Sequence, residues 1–311
     1  MKNTVDVSVV IPCYNDSISL KRCIESIVLQ SCLPKEVIII DDFSDDYYQS
    51  QLVIDEMREK NKSLFDIKLF RNERNMNGAY SRNKGIDIAR GQYVALLDAD
   101  DYWLERHLEL SFNSIISEGA DFIYSNVVLD RGEQIVIREV DNHELLSNRY
   151  DTILLSPPQT NSFFFKREVF PDISFDIQLK RHQDYQFYFD ILRSSYVAKY
   201  VNFSTAVYTV SHRDISTRVD YKSIFDFWER HQEYFSKKIL QWKLSTIHFD
   251  SVKLNKSNGI DYSKYSSLCF LNLNEKNCQS EVYAYFLLFK CNPISFFNLC
   301  IRKAKRIITR G

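Results

Sequence analysis

No two of the seven cysteines, at 13, 23, 32, 269, 278, 291 and 300, are spaced as Cys-x-x-Cys, and their number is odd. That argues against a zinc framework or a disulfide scaffold and fits reduced thiols in a cytoplasmic protein. No run of about 18 apolar residues occurs, so no segment is expected to span a bilayer. The opening residues, Met1-Lys2-Asn3-Thr4-Val5-Asp6, place an acid where a secretory signal needs its apolar core, so export is not expected. Charge of one sign is also missing. Forty basic and 41 acidic side chains leave a net charge of −1, and no electrostatic footprint suggests nucleic acid as a partner. With 311 residues the chain is long enough to fold without disulfide or metal, as one large or two modest domains. Aromatics, at 14%, are abundant and read as a bulky core.

Taken in order, Val7-Ser8-Val9-Val10-Ile11-Pro12 is an almost unbroken β-branched run, which reads as a strand buried on both faces and ended by Pro12. Ile18, Leu20, Cys23, Ile24, Ile27 and Val28 then fall on helical spacing. Val37 to Ile40 is a second buried strand, stopping at Asp41-Asp42. A helix over about 47–61, a short strand near Ile67–Phe70 and a helix from Ala79 to Arg90 continue the βα alternation. Such alternation implies a doubly wound, mostly parallel sheet, whose ligands bind beyond the carboxyl ends of its strands.

The next strand delivers the most informative stretch, Val94-Ala95-Leu96-Leu97-Asp98-Ala99-Asp100-Asp101-Tyr102-Trp103. Three carboxylates so close together repel one another and are costly to desolvate, so they suit a hard divalent cation or a sugar hydroxyl. The plainer reading is an acidic turn capping a helix from Trp103 to Glu118. Further on, Val127 to Arg138 alternates as a hairpin turning at Arg131-Gly132. Ser162 to Phe165 reads as a strand, and Asp184 falls in the first turn of an amphipathic helix, where the helix dipole favours an acid. Tyr200 to Val210 is β-like, and helical signals dominate from about 221, with Phe225, Trp228 and Phe235 spaced for packing. The tail from Glu281 to Ile308 places a bulky apolar stretch before Arg302, Lys303, Lys305 and Arg306, a pattern suited to an anionic membrane surface or, equally, to a core-packing helix followed by a solvated basic terminus.

Four blocks in this order resemble the family 2 glycosyltransferases: Val-Ser-Val-Val-Ile-Pro-Cys-Tyr-Asn at 7–15, Ile-Asp-Asp-Phe-Ser-Asp-Asp at 40–46, Ser-Arg-Asn-Lys-Gly-Ile at 81–86 with Leu-Leu-Asp-Ala-Asp-Asp at 96–101, and Gln183-Asp184. The resemblance implies a GT-A fold, a Rossmann-like doubly wound mixed α/β sheet over 1–220. Its nucleotide-binding part would be 1–126 and its acceptor part 127–220, followed by a helical region at 221–311. It implies a metal-dependent, inverting transfer from a nucleotide-diphosphate sugar, uridine being the commonest base, to a saccharide or lipid-linked saccharide in cell-surface polysaccharide synthesis. The enzyme would work in the cytoplasm or on the inner face of the membrane.

By the same resemblance Pro12 and Tyr14 line the base pocket, Asp42 accepts from the base imide, and Asn15, Asn75, Arg82, Asp98 and Ala99 complete the nucleotide site. Asp98, Asp100 and His212 would hold Mg²⁺ or Mn²⁺, and Asp184 would be the catalytic base. The chain departs from the family pattern at Phe43 and Asn77, where glycine is usual, and at Gln183, where glutamate is usual. A left-handed backbone is expected at Asn77, which asparagine tolerates. Other readings are a catalytically inactive sugar-nucleotide-binding relative and a sugar nucleotidylyltransferase. The latter needs a glycine-rich basic loop that Pro12-Cys13-Tyr14-Asn15-Asp16 does not offer. A signalling receiver module would carry its acid pair after the first strand rather than the second.

Overall fold

The computed structural model describes residues 2–62, 64–210 and 219–253, together with positions 289, 291, 293, 294 and 297. His212 lies outside the described residues, as does the expected membrane-binding tail apart from those five positions. The chain divides into two compact units, Met1–His212 and Arg213–Gly311.

The first unit is built on one nine-stranded mixed sheet. Its strands are β1 (Asn3–Cys13), β2 (Cys32–Asp41), β3 (Asp66–Arg71), β4 (Tyr93–Leu96), β5 (Tyr102–Trp103), β6 (Phe122–Asp130), β7 (Ile135–Arg138), β8 (Phe164–Lys166) and β9 (Ala198–Thr209). They lie in the order β3-β2-β1-β4-β8-β6-β9-β5, with β7 paired to β6. The first four are parallel, and β8 runs antiparallel to both β4 and β6. Val9, Val10 and Ile11 of β1 and Val37 to Ile40 of β2 have no exposed surface, as their β-branched runs require when helices cover both faces.

Helices α1 (Ser17–Val28), α2 (Tyr47–Asn61), α3 (Gly78–Asp87) and α4 (His107–Ser117) connect the early strands, while the four-residue α5 (Thr152–Leu155) and α6 (Gln183–Arg193) follow the hairpin. Helix α3 lies directly on β1 because Gly85 has no side chain: a Cβ there would stand 2.3 Å from Val10 Cγ1. Many of the described phenylalanines are core, as expected, although Phe43 and Phe70 are exposed. Phe122, Phe163, Phe164, Phe165 and Phe187 are fully buried, and Phe175 stacks on Phe187 at 4.3 Å.

Strand order reverses at β1, with β2 and β3 on one side and β4 on the other. The crevice at the carboxyl ends of β1 and β4 is therefore the topological switch point. Pro12 does not end its strand, since β1 pairs with β2 through Cys13–Asp41. Pairing with β4 stops at Val10–Leu96, so the missing Pro12 N–H costs no rung there.

Trp103, expected to begin a helix, lies in a strand. Tyr102 and Trp103 instead pair with Val207 and Ala206, and the helix begins at His107. The Trp103 ring is 2% exposed and donates from Nε1 to Asn161 O at 2.8 Å, so burying and satisfying the indole outweighs helix propensity.

In the second unit α7 (Tyr221–His231) starts at Asp220, whose side chain accepts from the Ser223 N–H at 2.9 Å. Buried Phe225, Phe227 and Trp228 form its apolar face, Trp228 meets Phe235 edge-on, and α8 (Lys237–Lys253) follows.

Candidate functional site

Seven of the residues singled out in the sequence line one cavity of about 190 Å³ at the switch point: Pro12, Tyr14, Asp42, Arg82, Asp98, Ala99 and Asp100. Cys13, Asp16 and Gly78 complete it. Two expected nucleotide contacts are not in its lining. Asn15, at φ 53°, accepts the Asp45 N–H at 2.8 Å through Oδ1 and donates its own N–H to Ser44 Oγ at 3.0 Å, which ties the β1–α1 turn to the β2–α2 loop. Asn75 is exposed in the loop before α3.

Asp42 is also committed to that loop. Its Oδ1 accepts from Asn72 Nδ2 and the Met76 N–H, and Oδ2 accepts from the Asn77 N–H, each at 2.8 Å. A carboxylate has about four lone-pair positions, so one on Oδ2 remains for a ligand. The family's two glycine positions both adopt positive φ, 64° at Phe43 and 76° at Asn77. Asn77 has ψ 167°, so it is extended rather than left-handed helical. That region is glycine's own. Three hydrogen bonds hold it: the bond to Asp42, the Tyr80 N–H onto Oδ1, and Nδ2 onto Ile177 O.

After β4 the chain turns tightly, with the Asp101 N–H donating to Asp98 O at 3.0 Å. Asp98 and Asp100 are part-exposed to the cavity, but Asp101 is not in its lining and is 1% exposed. Two carboxylates, not three, are thus presented. Asp101 accepts from Asn161 Nδ2 at 3.0 Å and the Thr209 N–H at 2.8 Å. Burial first, and then the charges of Asp98 and Asp100, push its carboxyl well above the usual range.

Arg82, from α3, donates to Asp98 Oδ1 at 2.5 Å, and its guanidinium lies 5.5 Å from the Phe175 ring centre. Its Nε is buried without a hydrogen-bond partner among the described residues. Asp184 sits in the first turn of α6, half-buried. Burial raises its pKa, the charge of Asp98 adds to this, and Arg82 and the Tyr185 N–H oppose it. Gly78 lies at the same junction, where a Cβ would stand 3.0 Å from Arg82 Nη1 and 3.7 Å from Gln183 Oε1. Gln183 donates to Leu179 O at 2.6 Å, a contact that serves the loop before α6.

The other acids of the segment face elsewhere. Asp172, Asp176 and Asp190 line a separate cavity of about 530 Å³, where Asp172 accepts from the Tyr196 hydroxyl and Asp190 from Gln186 Nε2.

Among the described residues no three His, Cys, Asp or Glu side chains converge as an all-protein metal cage. Two part-exposed carboxylates in an open crevice fit a different arrangement. They suit Mg²⁺ or Mn²⁺ held by one or two protein oxygens and completed by a diphosphate. Sequence reasoning did not find Gly78, Asn72 or Asn161, whose roles arise from contacts between distant segments.

The family model described as Glycosyl transferase family 2 matches residues 8–185. "Amylovoran biosynthesis glycosyltransferase AmsB" of Erwinia amylovora is 35% identical over 190 residues, spanning 58% of this chain and 62% of that protein. The solved structure of S. aureus TarS 1-349 with UDP-GlcNAc superposes with a TM-score of 0.60 at 18% identity, covering 94% of this chain and 82% of that one. The mannosyltransferase PcManGT of Pyrobaculum calidifontis, with GDP-Man and Mn²⁺, superposes at 0.55 and 15% identity, covering 97% and 80%. A family match over more than half the chain and two superpositions on the same architecture carry one conclusion: the chain belongs to glycosyl transferase family 2 and has the GT-A fold.

Proposed function

We propose that this glycosyltransferase is metal-dependent and inverting, moving a sugar from a UDP-linked donor to a saccharide or lipid-linked saccharide in polysaccharide synthesis. The observation that carries the reading is the convergence, at one strand switch point, of Asp98 and Asp100 with Arg82 and, electrostatically coupled to both Arg82 and Asp98, Asp184. Pro12, Tyr14 and Asp42 form the wall for the base. Asp98 and Asp100 hold the cation, and the unpartnered Arg82 Nε supplies a donor for an anionic group.

A divalent cation held by Asp98 and Asp100 would supply positive charge to offset that of the departing diphosphate. Asp184 takes the acceptor hydroxyl proton as that oxygen attacks the anomeric carbon from the face opposite the leaving group, so the anomeric configuration inverts. A carboxyl raised above its ordinary value by burial is a stronger base for that proton than a solvated one. The likeness to AmsB supports polysaccharide synthesis, and the UDP-GlcNAc-bound TarS supports a UDP donor. The basic residues Arg302, Lys303, Lys305 and Arg306 would hold the chain at an anionic membrane surface.

Calorimetric titration of UDP with Mn²⁺ and with a chelator tests the reading. Without a cation the diphosphate meets Asp98 and Asp100 unscreened, so chelation is expected to abolish binding. Equal affinity in both conditions would overturn the metal dependence. Tight Mn²⁺-dependent UDP binding with neither transfer nor donor hydrolysis would instead identify an inactive sugar-nucleotide-binding relative.

A further inference from the structure

Asp101 has no place in the chemistry above, yet its hydrogen bonds organise the turn that does. Oδ1 accepts the Thr209 N–H at 2.8 Å and Oδ2 accepts Asn161 Nδ2 at 3.0 Å. Asn161 is itself anchored, because its carbonyl receives the Trp103 indole N–H at 2.8 Å. A second tether leaves from the preceding residue. Arg22 of α1 donates from Nη2 to Asp100 O at 2.7 Å and to Thr209 Oγ1 at 2.9 Å, with its guanidinium 4.6 Å from the Tyr102 ring centre. Thr209, the last residue of β9, is therefore fastened to the acidic turn twice, through its backbone N–H and through its hydroxyl.

Neighbouring carboxylates repel, and a free turn would let Asp98 and Asp100 splay apart. Groups that fix a ligand's orientation are commonly worth 10- to 100-fold in metal affinity. We propose that Asp101, together with Arg22, is a positioning residue of the cation site: by locking the Asp98–Asp101 turn to the end of β9 it holds Asp98 and Asp100 at the spacing one divalent cation needs. This inference rests on the reading of Asp98 and Asp100 as cation ligands.

The test uses the full chain and exchanges the buried donor and acceptor. Asp101→Asn leaves one of two N–H donors without an acceptor, and Asn161→Asp sets two carboxylates together. The double exchange, Asp101→Asn with Asn161→Asp, restores one donor to one acceptor while the Thr209 N–H keeps its partner. Mn²⁺ is titrated at fixed excess UDP and the nucleotide-dependent thermal shift is followed, with the melting temperature in EDTA as a separate readout.

Asp101→Asn is expected to raise the half-saturating Mn²⁺ concentration on the order of tenfold, within the range typical of such supporting groups. The double exchange is expected to return it close to the wild-type value. A purely structural role would lower the EDTA melting temperature without moving the Mn²⁺ dependence, and that result overturns the proposal. So does a double exchange no better than the single variant. Should Asp101→Asn fail to fold, Arg22→Met, which cuts the second tether to Asp100 O and Thr209 Oγ1, carries the same Mn²⁺ titration, and an unmoved Mn²⁺ dependence there overturns the proposal. Wild-type protein that binds UDP without Mn²⁺ overturns both this inference and the cation reading, whereas metal-dependent wild type beside an unmoved Asp101→Asn overturns the positioning role only.

Discussion

Glu36 lies on β2 toward the amino ends of the parallel strands, away from the cavity, and its side chain has no exposed surface. Burial alone would raise its pKa. Lys68 at 2.8 Å, the Ser8 hydroxyl at 2.7 Å and the Arg90 N–H at 2.7 Å more than offset that penalty and bring it from 4.5 to about 2. The carboxylate thereby joins β1, β3 and the approach to β4. A group whose folded pKa lies below its unfolded value adds stability that is complete above the unfolded pKa and is lost as pH falls through the folded one. At 1.36 kcal/mol per pH unit, the depression corresponds to about 3 kcal/mol at neutral pH, lost between pH 4.5 and about 2.

Glu36→Gln keeps the shape and removes the charge, so it is expected to destabilise the chain by up to about 3 kcal/mol at pH 7. Urea unfolding of both proteins from pH 7 down to pH 3 should show the gap constant above about pH 5 and shrinking below pH 4.5. Other titrating groups contribute equally to both proteins and cancel in the difference. A gap that stays constant down to pH 3, or no gap at pH 7, would refute the reasoning.

Asp184→Asn preserves shape but not basicity, and should lower the transfer rate on the order of 10²- to 10⁴-fold while leaving UDP affinity nearly unchanged, as steady-state rates beside calorimetry would show. Arg82→Met removes the cation that lowers the Asp184 pKa, so the acid limb of the pH–rate profile is expected to move to higher pH; a limb that stays put or moves down contradicts the coupling. Gly85→Ala drives a Cβ to 2.3 Å from Val10 Cγ1 and should cost about 1–3 kcal/mol by overpacking, read as a lowered melting temperature.

The sequence by itself determined the parallel half of the sheet. Runs such as Val7–Ile11 and Val37–Ile40 are too uniformly β-branched to sit anywhere but in strands covered on both faces, and acids directly after them must stand at carboxyl ends. The βα alternation then fixed where a ligand site would form, and four short blocks identified the family. Local pattern could not say which way each acid turns. Asp98, Asp100 and Asp101 are chemically alike, but Asp101 faces Asn161, carried in by the turn before β8, and Thr209, brought near only when β9 returns beside β5 and β6.

Trp103 looked like the start of a helix until a strand far along the chain paired with it and a buried carbonyl accepted its indole N–H. The resemblance implied nucleotide contacts for Asn15 and Asn75, but Asn15 joins two loops and Asn75 is exposed, and neither lines the cavity. The contact of Arg82 with Asp98, and its influence on Asp184, depend on α3 and α6 meeting over β4's end. Burial and cross-chain hydrogen bonding depend on long-range packing, so the tertiary structure alone decided which of the chain's polar groups are left to act on a ligand and which hold the fold.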